Sequence, residues 1–506
     1  MSNRGGVGSK IQVRAGSLIG RVETSSATPA VAPADIVFGI GHRGGVDAVR
    51  VLWPSGILQA EAAARVLPSP IAIEELDRKP SSCPFLYTWN GERFEFVTDF
   101  MGGGEMGYLE NPDAPGVRAR NTPDPVEYVR IESRQLKPTN GRFDIRVTNE
   151  LEETLFLDRL QLIAVAHPTG TEVYPNEGMT ETPKPYRLFA VTGAHVPAAT
   201  DDEGRDVTDR ISRLDRRYVE GFPLTSFRGY AAPHTLTLDL APLGPAPVLL
   251  LTGWTDYAFS SDNLAAHQAG FALAPPSLQA KDAHGRWRTV VDDLGIAVGR
   301  PQTVTVDLAG RLRPGEHEVR IVTNMRIYWD RVLVATAVDQ RLEIHPLDPV
   351  AAILRARGFS AEVRPDEREP VAYDYSRVSS VSPWKTMPGR YTRFGDVRAL
   401  LAKSDDMFVI ARPGDEIAVS FDADAAGALR NGWTRTFLLL ADGYSKEMDI
   451  NSASPDVVGP LPFHAMTSYP YRAPEHYPDS VEYQNFQATY NTRVVVRSVP
   501  SLDSVR

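Results

Sequence analysis

Apolar residues along this chain fall in short runs of four to eight positions, each closed by Gly, Pro, Asn or Asp. The clearest block covers 248–334. It reads V-L-L-L-T-G-W-T-D-Y, a polar loop, S-L-Q-A-K-D-A-H-G-R-W-R-T-V-V, Q-T-V-T-V-D-L, then H-E-V-R-I-V-T-N-M-R-I-Y-W-D-R-V-L-V. Runs this short, rich in Val, Ile, Thr and aromatics, predict the strands of a sandwich. Alternation from Val319 places Ile321, Met325, Ile327 and Trp329 on one apolar face, and Arg320, Arg326, Tyr328 and Asp330 on the other. On that reading Trp329 is core and Asp330 pairs with Arg326.

The same reading carried along the chain predicts a mostly β, multidomain protein with few short helices. The expected units are a small β-domain over 1–68, a β-rich domain with charged loops over 83–234, and a central jelly-roll or galactose-binding-like sandwich over 235–340. A mixed domain with an aromatic-rich tail follows over 348–500, and 71–82 reads as a linker. Asn90-Gly91 and Asn140-Gly141 mark hairpin turns. F-L-D-R-L-Q-L-I-A-V-A-H-P reads as one long buried strand or a strand pair. Helices are expected at 348–358, with Asp348 at the N-cap and Pro349 behind it, and at 396–403. No exact internal repeat is visible.

Composition narrows the function. A chain of 506 residues predicts three or four domains. The net charge of −10, with no Lys/Arg block, argues against general nucleic-acid binding. No run of 18 apolar residues exists, so no membrane span is expected. Cys83 is the only cysteine, so no intramolecular disulfide can form; a small buried residue is the expected role. The first ten residues lack the apolar core of a signal peptide.

G-I-G-H-R-G at 39–44 matches G-x-G-x-x-G, but a strand rather than a helix is expected after it, so a glycine-rich turn is the better reading. Three pieces around it run in order: N-R-G-G-V-G-S-K-I-Q-V-R-A-G, I-V-F-G-I-G, and V-D-A-V-R-V-L-W-P-S-G. Together they resemble the ASPIC/UnbV domain over residues 3 to about 60. That family includes bacterial proteins and the animal cartilage acidic proteins, with FG-GAP propeller repeats ahead of the domain. The resemblance implies an extracellular or periplasmic interaction module, with this chain like the C-terminal part of a longer protein. It implies no reaction.

The chain carries no G-x-S-x-G, H-E-x-x-H or P-loop motif. In N-M-R-I-Y-W-D-R, Arg326, Tyr328 and Asp330 could stack on and hydrogen-bond a sugar, which makes them the candidate ligand-binding residues. In A-D-G-Y-S-K-E-M-D-I-N, Glu447, Asp449 and Asn451 alternate beyond Asp442 and form the candidate calcium set. The acidic run Asp201, Asp202, Glu203, Asp206 and Asp209 is a second calcium candidate, more simply a solvated loop. M-G-G-G-E-M-G-Y at 101–108 is either a backbone cradle for an anion or a tight turn between strands. The expected function is non-catalytic binding of a carbohydrate or protein. The alternatives are a carbohydrate-active enzyme with carboxylates from separate strands, and a structural scaffold.

Overall fold

The computed structural model describes residues 6–24, 36–54, 58–62, 73, 83–111, 119–120, 124–364, 366–382, 384, 386–449 and 451–496. The expected linker 71–82 lies outside these, apart from Ile73.

The protein is mostly β. Its first sheet joins β1 (Lys10–Ala15), β2 (Leu18–Glu23), β3 (Ala48–Leu52) and β4 (Leu58–Ala62) in the order β2-β1-β3-β4. Val13, Val49 and Val51 form its core, with Phe38 and Trp53 packed alongside. β3 follows the 39–44 turn, as expected, so those glycines open no helix. The apolar run 36–38 forms no strand. Phe38 instead covers Gly20, where a Cβ would lie 2.7 Å from the ring.

Two sandwiches follow. Along the chain come β5 (Phe85–Trp89), β6 (Phe94–Asp99), β7 (Val126–Ile131), β8 (Arg142–Asn149) and β9 (Glu153–Pro168). Next are β10 (Glu172–Pro175), β11 (Leu188–His195), β12 (Ala198–Asp201), β13 (Tyr230–Asp239) and β14 (Pro247–Thr255). Then come β15 (Ser277–Lys281), β16 (Trp287–Val291), β17 (Gln302–Asp307), β18 (Glu318–Met325) and β19 (Ile327–Ala337). The last set is β20 (Glu343–Leu347), β21 (Pro349–Ala356), β22 (Gly395–Asp396), β23 (Val409–Ala411), β24 (Asp415–Asp422) and β25 (Trp433–Glu447).

The inner sandwich packs β10-β11-β19-β14-β17 on β12-β13-β18-β15-β16. Its core runs through Leu238, Leu249, Leu251, Leu278, Val304, Ile321, Trp329 and Val332. The outer sandwich packs β20-β9-β25-β7 on β22-β21-β24-β8-β5-β6. Leu86, Ile145, Leu157, Leu160, Val419 and Leu439 fill it. Strands of 85–168 therefore pair with strands of 343–447, and the stretch 172–337 forms a complete body between them.

The two sandwiches share one strand order. β11-β19-β14-β17 matches β20-β9-β25-β7, and β12-β13-β18-β15-β16 matches β21-β24-β8-β5-β6. Connectivity differs by a circular shift. The chain supplies the five-strand half first in the outer body (β5 to β9) and last in the inner body (β15 to β19). The chain thus repeats a two-part unit, and each part pairs with the complementary part of the other copy. Sequence traces of the repeat survive. D-V-x-x-x-(L/I)-x-x-x-D-x-x-(F/Y)-V occurs at 206–219 and 396–409, and L-F-L-D-R at 155–159 parallels I-Y-W-D-R at 327–331.

Local turn chemistry is informative. Asn140 and Gly141 have φ of 50° and 72°, the pairing a type I′ turn needs, and Thr139 and Arg142 exchange backbone hydrogen bonds across them. The Asn90-Gly91 hairpin forms too, but Trp89 pairs with Phe94 and leaves a four-residue loop. There Asn90 Oδ1 accepts from the amides of Glu92 and Arg93, both at 2.9 Å. The stretch Glu153–Pro168 is one strand of 16 residues.

The helix expected at 348–358 is a correction: Pro349–Ala356 is strand β21. Its backbone is taken by β24, with Leu354 opposite Ile417. Ala352 and Leu354 enter the core while Val350 and Ile353 face out. Sheet pairing outweighs the modest helix preference of Ala, Leu and Arg. The helix expected at 396–403 shrinks to one 3₁₀ turn, Arg398–Leu401. Among the described residues the two α-helices are Ser260–Gln268 and Val481–Tyr490. Each buries few apolar side chains, so neither shows an apolar stripe in sequence. No helix is long and apolar enough to cross a membrane among the described residues.

Candidate functional site

Trp329 is 3% exposed and Tyr328 is half-buried, as the alternation predicts. The chain changes sheets at Arg326, yet both inner faces meet the same core, so the parity survives. The side chains read as a sugar site are committed internally. Arg326 donates from Nε to Tyr230 O at 3.0 Å, and from Nη2 to Thr225 O at 2.9 Å and Phe227 O at 2.8 Å. Its ion-pair partner is Asp256 at 3.3 Å, not Asp330. Tyr328 stacks on Trp254, ring centres 4.5 Å apart. Asp330 accepts the amides of Asp215 (3.3 Å) and Arg216 (3.0 Å).

The calcium set near the end of β25 is likewise engaged. Glu447 accepts from Ser260 Oγ at 3.1 Å, and Asp449 from Ser261 Oγ at 2.7 Å and the Asn451 amide at 2.8 Å. Glu153 lies directly opposite Glu447 across the strands. Burial, then Glu447, pushes the Glu153 carboxyl well above its usual range. In the acidic loop, Asp201 pairs with Arg205 at 2.6 Å. The glycines of 101–108 permit close packing. A Cβ on Gly104 would lie 2.5 Å from Gly443 O, and one on Gly107 2.4 Å from Ala453 Cβ. Cys83 is fully buried, with Sγ 3.7 Å from Tyr257 Oη. Burial, then Asp99 and neighbouring glutamates, raises its thiol well above the ordinary value.

The repeat brings forward a different set. Asp330 is the extra residue of a β-bulge, where Trp329 and Arg331 face Gly253 and Thr252. Asp158 is the extra residue of the matching bulge, where Leu157 and Arg159 face Gly443 and Asp442. A Cβ on Gly253 would lie 2.3 Å from Tyr328 O, and one on Gly443 2.2 Å from Phe156 O, so both bulges press on glycine. Asp158 Oδ2 accepts the amides of Asp405 (2.8 Å) and Asp406 (2.9 Å). Arg216 and Asp406, at matching places, have φ of 66° and 65°.

Around this shared frame the chemistry diverges. The inner body has Thr252 and Arg216 where the outer body has Asp442 and Asp406. The outer body adds His464 from the C-terminal segment. His464 Nδ1 lies 2.6 Å from Asp406 Oδ1, and Nε2 lies 2.8 Å from Asp442 Oδ1. Asp158 Oδ2 is 3.7 Å from Nδ1. The Ser404 hydroxyl donates to Asp442 Oδ2. Phe408 and Tyr444 flank the imidazole, with centres 6.3 and 5.6 Å away. Burial alone would lower the His464 pKa, but Asp406 and Asp442 outweigh it and hold the ring protonated, up to about 10. Burial pushes Asp158 up to about 7, against the Asp406 amide and His464.

A polar cleft of about 170 Å³ lies beside this cluster, between the two sandwiches. Asp124, Glu127 and Tyr128 line it from the outer body, and Glu177, Lys184 and Tyr186 from the inner. The rings of Tyr128 and Tyr186 stack at 4.0 Å. Glu127 accepts the Met101 amide at 2.5 Å and Gln302 Nε2 at 3.0 Å; Glu177 accepts the Tyr128 amide at 2.9 Å. Burial, then Glu177, holds the Glu127 carboxyl well above its usual range. Burial, opposed by the Tyr128 amide, pushes Glu177 up to about 7. Asp124 is raised by burial and by Asp442, which links the cleft to the histidine cluster.

Residues 1–66 match the family model of ASPIC and UnbV. The matched stretch carries the three motifs quoted from the sequence, and it ends before either sandwich begins. No curated protein matches the chain. The ASPIC/UnbV match therefore covers neither the cleft nor the histidine cluster.

Asp158, Asp406, Asp442 and His464 lie far apart in sequence, and their grouping was not legible there. The available signal was the paired motif at 206–219 and 396–409. Aligning the two copies sets Arg216 against Asp406 and exposes the difference in charge.

Proposed function

We propose that this chain is a non-catalytic binding protein, acting outside the cell or at its envelope, whose inter-sandwich cleft takes a carbohydrate. The supporting observation is the Tyr128–Tyr186 stack at the cleft, with Tyr186 45% exposed beside Glu177 and Asp124. An exposed ring face offers sugar-face stacking, and carboxylates accept from hydroxyls. Titration calorimetry of the purified chain against a panel of neutral and amino oligosaccharides tests the reading. At least one should bind, and Tyr186→Ala and Glu177→Gln should each weaken it tenfold or more. Binding that is unchanged in both variants, or absent across the panel, would overturn it and leave the scaffold reading.

A catalytic reading takes support from Glu127 and Glu177 lining one cleft with raised pKa values. It requires new reducing ends to appear with the wild-type chain and to vanish with Glu177→Gln.

A further inference from the structure

We infer that Asp158, Asp442 and His464 form a binding site for a divalent transition-metal ion, with Asp406 beside it. One donor atom from each of the three lies within 4.8 Å of the other two. With those separations an ion at their centre is no more than about 2.8 Å from each before any side chain moves, and small rotations reach the ~2.0–2.2 Å of zinc–nitrogen and zinc–oxygen bonds. An imidazole with two carboxylates suits zinc or manganese, whereas calcium prefers an all-oxygen shell.

A second observation is independent of the cluster's composition. Asp158 is fully buried, and its Oδ1 has no hydrogen-bond partner. A buried carboxylate oxygen left without a donor is costly. A cation held by both oxygens of Asp158 would satisfy it.

Charge points the same way. Among the described residues, no Lys or Arg pairs with Asp158, Asp406 or Asp442, and His464 is their one basic neighbour. Three carboxylates thus share one imidazole. For His464 to ligate, one ring nitrogen gives up its proton to solvent, and the ion takes over that nitrogen's contact with its aspartate.

The inner sandwich serves as an internal control. It keeps the bulge, the aspartate and the two amides that the aspartate caps, so those features are structural. It has Thr252 and Arg216 in place of Asp442 and Asp406, and Asp330 has no buried unpartnered oxygen. Two of the three residues that would hold an ion, Asp442 and His464, set the outer copy apart, and they act on an aspartate that both copies keep.

Equilibrium dialysis of the chelator-treated full chain against Zn²⁺, Mn²⁺ or Ca²⁺, with bound metal quantified, tests the site. One equivalent of zinc or manganese should bind, and calcium should bind far more weakly. Asp442→Thr, which installs the inner copy's residue, and His464→Gln should each lower affinity tenfold or more. Asp442→Asn serves if the threonine variant does not fold, as judged by circular dichroism. Cobalt(II) bound to the wild type should show visible absorption that His464→Gln loses. No bound zinc or manganese in the wild type, or undiminished binding in the folded variants, would overturn the site.

Discussion

Asp158 and Asp330 hold one structural post in two different sandwiches. Each is the extra residue of a bulge opposite a glycine, and each caps two consecutive amides of a loop that turns through a positive φ. A carboxylate at a bulge is costly to bury, so two amide donors must offset the desolvation. Where the offset is incomplete, the group's protonation responds.

Asp330 shows this through pH. Burial, against the Asp215 and Arg216 amides, pushes its carboxyl up to about 6. Because the folded value lies above the unfolded one, its contribution is full below an unfolded pKa of ~3.9 and lost as pH rises through about 6. Asp330→Asn keeps an acceptor for both amides and does not titrate. Urea midpoints should show the wild type losing ground to this variant between pH 4 and 7, by at most ~3 kcal/mol. A pH-independent difference would show that Asp330 is not titrating there.

The two bulge glycines should be intolerant of a side chain. Gly253→Ala and Gly443→Ala each drive a Cβ into a backbone carbonyl, at 2.3 and 2.2 Å, which no rotamer can relieve. Thermal unfolding should reveal a loss of ~1–3 kcal/mol or more for each. Gly44→Ala, where a Cβ meets open space and φ is not left-handed, separates the clash from simple loss of glycine.

Trp329 and Tyr328 should behave differently when truncated. Trp329 lies in the inner core, so Trp329→Ala should cost ~3–5 kcal/mol through lost burial and a cavity. Tyr328→Ala removes a half-buried ring stacked on Trp254 and should cost less. Equal losses in denaturant titrations would contradict the observed burial.

Cys83 should resist modification in the native protein. It is fully buried, and its thiolate is disfavoured by burial and by nearby carboxylates. A bulky maleimide should label it slowly at neutral pH and quickly in urea. Rapid native labelling would mean that this part of the fold opens readily.

The sequence carried the fold class because alternation and turn residues act locally. Asn140-Gly141 and the parity that buries Trp329 needed no distant partner. The failures were long-range. Pro349–Ala356 has helix-like residues, but β24 takes its backbone. Arg326 and Asp330 share a parity, yet the chain crosses between sheets at Arg326 and each finds another partner. The histidine cluster draws on four distant segments, so only the pairing of β9 with β25 and the return of the C-terminal segment bring it together.

The exchanged halves have a consequence for synthesis. When the chain has emerged only as far as β14, the half β5–β9 meets the half β11–β14, which carries the strand types it pairs with in the finished outer body. Its proper partner, β20–β25, does not yet exist. A nascent chain therefore faces a choice between waiting and pairing early, and early pairing would have to be undone when β15–β19 arrives. The polypeptide's order of emergence sets its own competitor against its final partner.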